Sequence, residues 1–241
     1  MLEYYVFTNV GNRKINEDCA DGFLVNENEG VFILADGVGG YEAGEVASGF
    51  AIKYALDFCR NKIIGTEDIN TLFTELQKEL LNLKQDDKYK EMMTTLVFLY
   101  IKDNEVQMAH VGDSRLYHLR NDGRVLRTYD HSVTQMLCLA GHIKEEEIRI
   151  HPKRNQILKA MGDPEFDGTP DVETPSVCSP GDAFLLCTDG FWEYILEQDM
   201  YTCLEDSNTP EEWINSMAAI VAKNGVGHNM DNFTAIGVMV K

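Results

Sequence analysis

The stretch that decides the fold covers residues 31–44 and reads VFILADGVGGYEAG. Its first five residues are apolar and partly β-branched, which predicts a strand that is buried on both faces. The apolar run stops at Asp36-Gly37, so we expect a carboxylate at the tip of this strand. Gly39 and Gly40 follow, and residues without a Cβ allow a tight turn and a close backbone approach to a ligand. The stretch therefore predicts a frame for a polar site, although an isolated Asp-Gly pair is also typical of a simple turn.

Several amphipathic helices are predicted further along the chain. From Val46, apolar residues recur every four positions with alanines beside them, which indicates a helix with one buried face. A second helix is predicted from the spacing of apolar residues between Leu72 and Leu83. The ranges 197–204 and 210–223 show the same pattern, and Pro210 suits the first turn of a helix.

The other patterned segments predict strands joined by short turns. Strand-like residues occupy the ranges 3–10, 22–26, 94–101, 106–111, 116–119, 125–128, 183–188 and 233–240. The connections between residues 94 and 128 are too short for helical crossovers, so we expect an antiparallel meander there. Asp122-Gly123 indicates a type I′ turn within it. We therefore predict an α+β fold, a four-layer α/β/β/α sandwich of two antiparallel sheets flanked by helices.

Composition narrows the classes of protein to be considered. The 241 residues are 44% hydrophobic, and no repeat or linker interrupts them, so we expect a single domain over residues 1–241. The formal net charge of −19 argues against nucleic acid or an anionic membrane as a partner, since both require a positive surface. The scattered cysteines are expected to be reduced. No apolar stretch approaches the roughly 18 residues of a membrane span, and we expect a cytoplasmic monomer.

Five aspartates share one sequence context at or near strand ends. They are Asp18, Asp36, Asp113, Asp189 and Asp231. Each alone is an ordinary turn residue, but several carboxylates that converge repel one another unless they are protonated or bound to cations. Oxygen ligands of this kind suit Mg²⁺ or Mn²⁺. The cysteines and the six histidines lack the spacing of zinc ligands.

Five motifs occur in an order that is characteristic of one known family. They are Arg13-x-x-Asn16-Glu17-Asp18, Ala35-Asp36-Gly37-x-Gly39-Gly40, Gly112-Asp113-Ser114-Arg115, Thr188-Asp189-Gly190 and Asp231-Asn232-Phe233-Thr234. The chain resembles the metal-dependent protein phosphatases of the protein phosphatase 2C family, and its compact form looks like the bacterial members. The family's two stacked antiparallel sheets flanked by helices agree with the layers predicted above.

The resemblance implies two Mn²⁺ or Mg²⁺ ions and a set of ligands for them. Asp36 resembles the residue that bridges the two ions, and the backbone carbonyl of Gly37 resembles the group that completes the second ion's shell. Asp189 and Asp231 resemble ligands of the first ion. A water held between two such ions loses a proton near neutral pH and attacks phosphorus in line.

The same resemblance implies roles for four more residues. Glu17 and Asp18 are placed near the second ion, directly or through water, and Asp113 near a third, weaker ion. Arg13 resembles the residue that clamps the substrate phosphate, since a guanidinium fork matches two phosphate oxygens. Alternatively, Arg13 is a surface arginine and Asp113 an ordinary turn aspartate.

Two residues bear on the chemistry of the predicted site. Val38 stands where many eukaryotic relatives carry a histidine that is proposed as general acid, so we expect protonation of the leaving group by a metal-bound water or by another histidine. His142 and His151 are the candidates, and the alternative for each is a structural role. Cys187 is not part of a Cys-x₅-Arg phosphate loop, so we do not expect it to be a nucleophile. It lies in an apolar strand, and we expect it in the core.

The implied function is hydrolysis of phosphoserine and phosphothreonine in proteins, with a cognate Ser/Thr kinase as partner. The polar range 130–170 is either a plain surface connection or a cover for the site, and within it about 138–168 resembles the flap of bacterial members. Two other functions stay open. One is a non-catalytic protein of the same fold that binds phosphoproteins, and the other is a two-metal hydrolase of small phosphate esters.

Overall fold

The computed structural model describes residues 1–38, 43–60 and 62–241. The helices in these ranges are α1 (Ala43–Cys59), α2 (Thr66–Leu83), α3 (Val133–Leu139), α4 (Asp189–Trp192), α5 (Glu197–Glu205) and α6 (Pro210–Asn224). The strands are β1 (Leu2–Asn9), β2 (Asp18–Asn26), β3 (Glu29–Val38), β4 (Met93–Thr94), β5 (Leu96–Lys102), β6 (Glu105–Val111), β7 (Arg115–Leu119), β8 (Val125–Arg127), β9 (Asp171–Val172), β10 (Ser176–Val177), β11 (Ala183–Cys187) and β12 (Phe233–Val240). The predicted glycine loop with Gly39 and Gly40 lies outside the described residues.

The strands form two antiparallel sheets. One has the order β1-β12-β11-β7-β8, and the other has the order β10-β6-β5-β3-β2, with β4 beside β3 and β9 beside β6. In the second sheet β2 and β3 are antiparallel neighbours, and their register sets Asp18 opposite Asp36. Two of the predicted carboxylates therefore start from facing positions of adjacent strands.

The central strand β3 shows how the layers are held together. Val31 and Ile33 lie in a core that α1 and α2 share, whereas Phe32 and Leu34 lie in the core between the two sheets. Because successive side chains of a strand face opposite ways, an uninterrupted apolar run fills both cores. Complete burial of each such side chain contributes roughly 1.5–3 kcal/mol.

A third core lies on the outer side of the other sheet. Ala235 on β12 packs there with Trp213 and Met217 of α6, while the next residue of the strand, Ile236, faces the opposite sheet. Two helix layers thus cover the outer faces of two stacked sheets, and the predicted four-layer α/β/β/α fold is confirmed. None of the helices in the described ranges is long and apolar enough to cross a bilayer.

The meander predicted between residues 94 and 128 is wrong as a single sheet. β5 and β6 pair in one sheet, whereas β7 and β8 pair in the other. The chain changes sheets at Gly112, whose φ of +107° suits glycine and whose α-carbon faces Thr95 so closely that a Cβ would collide with it. Short connections showed that these strands were antiparallel, but they could not show this corner.

Two further local predictions are corrected. A type I′ turn requires positive φ at both central residues. Asp103-Asn104 meets this condition, with φ of +48° and +71°. At Asp122-Gly123 only the glycine has positive φ, +88°. In addition, β3 continues two residues beyond Asp36, because its last residues pair with β4.

Candidate active site

A cavity of about 210 Å³ lies where the strand ends of both sheets meet. Its wall is formed by Arg13, Glu17, Asp36, Gly37, Val38, Asp113, Asn155, Ile157, Asp189, Asp231 and Asn232. The structure thus gathers all the predicted site residues except Asp18 in one wall. Asp18 lies opposite Asp36, partly buried, and its carboxylate accepts a hydrogen bond from Thr188 Oγ1 at 3.0 Å. The aspartates predicted from scattered turns therefore converge.

The backbone of Asp36 is fixed by two threonines. Its N–H donates to Thr95 Oγ1 at 2.9 Å, and its carbonyl oxygen accepts from Thr95 N and from Thr94 Oγ1, both at 2.9 Å. The following N–H, that of Gly37, donates to Glu17 O at 3.1 Å. These bonds hold the Asp36 carboxylate at a set position in the cavity.

Gly37 is a glycine for a steric reason. A Cβ at this position would collide with the carbonyl oxygens of Gly44 and Glu17. The close approach joins the end of β3, the start of α1 and the segment before β2 with no room for a side chain. The carbonyl of Gly37, predicted as an ion ligand, belongs to a residue in the cavity wall.

Asn232 organises the segment that carries Arg13 and Glu17, and sequence reasoning gave it no role. Its Oδ1 accepts from Glu17 N at 2.8 Å, and its Nδ2 donates to Val10 O at 2.9 Å and Ile15 O at 3.0 Å. The side chain is buried. Its place in the Asp231-Asn232 motif was the one signal that pointed to it.

Arg13 is bound to one of the predicted ion ligands. Its Nε and Nη2 donate to the two carboxylate oxygens of Asp231 at 2.8 and 2.6 Å. Both side chains are about half-exposed, with 44% and 40% of the side-chain surface accessible. Among the described residues of the cavity wall, Arg13 carries the one positive charge. The fork therefore lies at the cavity mouth, in a position to exchange one oxyanion partner for another.

The charge balance of the cavity is strongly negative. Burial, together with the neighbouring carboxylates, raises the pKa of Asp36 and of Asp189 well above the usual range. Burial likewise raises the pKa of Asp18 and of Asp113 to about 7. An excess of buried carboxylate oxygen over positive charge is the donor chemistry that hard divalent cations satisfy.

The donor set fits such ions by its chemistry, but the side chains must move to bind them. Within the described residues, no three His, Cys, Asp or Glu side chains are gathered closely enough to hold one ion. Asp231 is turned towards Arg13, and Asp18 towards Thr188. Rotation of these carboxylates away from their present partners would bring their oxygens into the cavity.

The raised pKa values predict how stability changes with pH in the presence of a chelator. The folded state holds protons on Asp18 and Asp113 up to about pH 7, whereas the unfolded chain loses them near pH 4. Because the folded state binds more protons, the free energy of unfolding falls as pH rises from about 4 to 7. Melting curves with chelator should show this decline, and Asp113→Asn should flatten it whereas the exposed-site control Asp57→Asn should not. An unchanged slope in Asp113→Asn would contradict the assignment.

A fully buried ion pair supports the Asp113 turn, and sequence reasoning missed its role. Arg115 donates through Nε and Nη2 to Asp130 at 2.8 and 2.7 Å, with no accessible surface of its own. Its guanidinium lies 3.5 Å from the ring centroid of Trp192. Trp192 Nε1 in turn donates to Asp113 O at 3.0 Å. Since Trp192 ends the helix that Asp189 begins, this packing fixes two carboxylate-bearing segments relative to each other.

Three other predicted groups take no part in the wall of the cavity. His142 and His151 are not among the described residues that form it, and His151 Nδ1 accepts from Lys153 N at 3.1 Å. Cys187 has no accessible surface, and burial raises the pKa of its thiol. The core position expected for Cys187 is confirmed, and no histidine of the predicted flap reaches the cavity wall.

The range 138–168 nevertheless reaches the site through two residues. Asn155 and Ile157 belong to the cavity wall, and Ile157 forms a β-bridge with Ser132. Arg154 pairs with Glu193, next to α4, at 2.8 Å. The polar excursion is thus attached beside the cavity rather than elsewhere on the surface.

Comparisons with known proteins agree with this geometry. A sequence model of the family described as protein phosphatase 2C matches residues 10–233. The serine/threonine phosphatase Stp of Listeria monocytogenes serovar 1/2a is 34% identical over 234 residues, which are 93% of this chain and 90% of that protein.

Solved structures share the whole fold. The structure of the S. agalactiae serine/threonine phosphatase is 27% identical and aligns with a TM-score of 0.89 over 100% of both chains. A second, the catalytic domain of the serine/threonine protein phosphatase PstP in complex with two manganese ions, is 26% identical, with a TM-score of 0.83 over 100% of this chain and 99% of that one.

Proposed function

Because this chain belongs to the protein phosphatase 2C family, we propose that it is a metal-dependent serine/threonine protein phosphatase. The observation that carries the proposal is the convergence of carboxylates and one arginine in a single cavity at the family's motif positions. The substrates on this proposal are proteins that carry phosphoserine or phosphothreonine.

We assign the ions to the side chains according to the family pattern. Asp36, the carbonyl of Gly37, Asp189 and Asp231 would hold two Mn²⁺ or Mg²⁺ ions, with Asp36 shared between them. The solved structure of PstP with two manganese ions supports a pair of ions in this fold. Glu17 and Asp18 would lie near the second ion, directly or through water, and Asp18 is now held by Thr188.

The chain's own residues bind and orient the phosphate. When bound, the two ions supply a nucleophilic water at neutral pH and neutralise charge on the phosphoryl oxygens. Arg13 then presents its Nε and Nη2 to two phosphate oxygens, in the geometry that it now uses for Asp231. Val38 and Ile157 give the cavity wall apolar surface, which limits water around the reacting groups and strengthens the electrostatic contacts.

The activity is tested by Mn²⁺-dependent release of phosphate from a phosphothreonine peptide, with a chelator as control. We expect release with Mn²⁺ and none with chelator. A small aryl phosphate ester, assayed in parallel, separates the rival functions. Hydrolysis of the ester alone would favour a small-ester hydrolase, and no hydrolysis of either compound would favour a non-catalytic phosphoprotein-binding role.

Arg13→Ala is expected to weaken phosphopeptide binding while both ions are retained. Loss of a charged fork to phosphate raises KM by roughly 10- to 100-fold, and the freed Asp231 stays available to an ion. Lys14→Ala, next to it and also exposed, is the matched control. The role of Arg13 would be refuted if KM and kcat/KM both equalled those of the control.

Asp113→Ala tests the third, weaker ion that we propose for this position. An ion held by few carboxylates leaves first as the metal concentration falls. We therefore expect kcat to fall and the Mn²⁺ optimum to rise or disappear, while the two-ion pair and the melting temperature stay close to those of the wild type. If Asp113 only completes a turn, stability drops by about 1 kcal/mol instead and turnover per folded molecule is unchanged.

We extend the proposal to the organisation of the chain and its partners. Residues 1–241 form one catalytic domain, and about 138–168 act as a flap beside the cavity. The presence of Asn155 and Ile157 in the cavity wall supports this role of the segment. A cognate Ser/Thr kinase would supply the phosphorylated substrates. The protein would act as a monomer in the cytoplasm.

A further inference from the structure

A second cavity, of about 610 Å³, lies at the edge where β8 ends one sheet and β10 ends the other, and its wall includes residues from both faces of β8. Met108 and Ser176 belong to its wall on one sheet, and Val125 and Leu126 belong to it on the other, with Arg120 directly after β7. Among the described residues, it shares no wall residue with the cavity that carries the aspartates. Its volume is in the range of about 300–1,000 Å³ that small-molecule sites have.

Two polar atoms in this wall are buried without a partner in the described part of the chain. They are Nε of Arg120 and Oγ of Ser176. Nη1 of Arg120 makes one long contact, 3.5 Å to Val177 O, and the side chain forms no ion pair within 4.0 Å in the described ranges. A buried donor without an acceptor is costly, and a charged one more so. The cavity therefore offers a guanidinium and a hydroxyl that a ligand would satisfy.

The other charges in the wall are largely balanced already. Arg127 pairs with Glu145, and the Glu197 carboxylate is bound by Arg149 at 2.7 Å. Glu173 also lines the cavity, but it lies beyond ion-pair distance of any described basic group. Arg120 is thus the basic side chain of the wall whose N–H donors lack acceptors, and its planar guanidinium matches an acidic head group.

The remaining surface of the cavity is apolar and partly open. Met108 and Val125 belong to its wall, and Leu126 and Tyr129 are 51% and 58% exposed there. Flat apolar and aromatic surfaces suit a ring-sized hydrophobic body. We propose that this cavity binds a small organic anion whose apolar body packs against Leu126 and Tyr129 at the sheet edge and whose acidic head pairs with Arg120 and Ser176.

The proposal is tested by binding to the full chain, without any turnover. The probes are 2-naphthoate and its uncharged analogue 2-naphthylmethanol, each measured by displacement of the fluorescent dye anilinonaphthalene sulfonate. In the wild type we expect the acid to bind at least about tenfold more tightly than the alcohol, since only the acid forms a charge-assisted pair.

Two variants and a matched control locate the site. Arg120→Met should abolish the preference for the acid, and Ser176→Ala should weaken the acid a few-fold while leaving the alcohol unchanged. Arg124→Met removes an arginine from the same turn whose guanidinium is already paired with Asp122, so it should keep the full preference. Melting curves show whether each variant is folded. If Arg120→Met does not fold, the binding result for Ser176→Ala decides whether the site is assigned correctly.

The proposal is overturned if acid and alcohol bind equally to the wild type, which would mean that water alone satisfies Arg120. It is also overturned if Arg120→Met or, in its place, Ser176→Ala binds the acid as the Arg124→Met control does. Because the readout is binding at a separate cavity, neither result depends on the phosphatase activity proposed above.

Discussion

Asp36→Asn is expected to abolish phosphate release and to weaken ion binding at both main sites. The carboxylate is replaced by an amide of the same shape, so the cavity loses the one anionic group proposed to bridge two ions. Changes in groups that merely orient a ligand cost roughly 10- to 100-fold in metal affinity, so loss of the bridge should cost at least about 100-fold. Calorimetric titration with Mn²⁺ measures this directly.

When the ions are removed, Asp36→Asn should preserve or increase the stability of the fold. The pKa of Asp36 is raised by desolvation and by four neighbouring aspartates, so its carboxylate disfavours the ion-free fold. An asparagine removes that cost, and with chelator at pH 8 the variant should melt at or above the wild-type temperature. Two ions bound at wild-type affinity would contradict the bridging role, and a lower melting temperature with chelator would show a structural defect instead.

Arg115→Met is expected to destabilise the protein by about 3–5 kcal/mol, because it leaves the Asp130 carboxylate buried without its bidentate partner. For a chain of this size that loss lowers the melting temperature by roughly 10 °C. The guanidinium also supports Trp192 by stacking at 3.5 Å. We therefore expect kcat to fall beyond the loss of folded protein, as the Asp113 segment loosens.

A double variant separates the two effects. Arg115→Met with Asp130→Leu removes both charges, and apolar replacement of a buried ion pair is often neutral or stabilising. We expect most of the melting temperature to return while kcat remains low, because Trp192 still lacks its stacking partner. Full recovery of kcat would assign the pair to stability alone, and an unchanged melting temperature in the single variant would contradict the argument from burial.

Local patterns were sufficient to predict the layers and the carboxylates. The apolar run of β3 fills two cores at once. A strand that is apolar at every position is predicted to be buried on both faces, whatever its neighbours are. The aspartates were visible because turns at strand ends place polar side chains at a sheet edge. Motif order then joined Asp36, Asp189 and Asp231 into one expected site.

The supporting contacts could not be predicted, because they join segments that are far apart in sequence. Asn232 binds the backbone at Glu17, 215 positions away, and Trp192 binds Asp113 across 79 positions. Nothing in the spacing of these residues encodes such pairings. The change of sheet at Gly112 was hidden for a related reason, since a short polar turn is compatible with a hairpin and with a corner between sheets.

Hydrolysis of phosphoproteins depends, on this proposal, on ions held by the converging carboxylates. The most direct measurement is a Mn²⁺ titration of the chelator-stripped wild type, with bound ions and phosphate release from a phosphothreonine peptide followed in the same samples. We predict that release appears in step with the filling of two sites and is absent before it. Release at full rate in the presence of chelator, with no ion bound, would contradict the account.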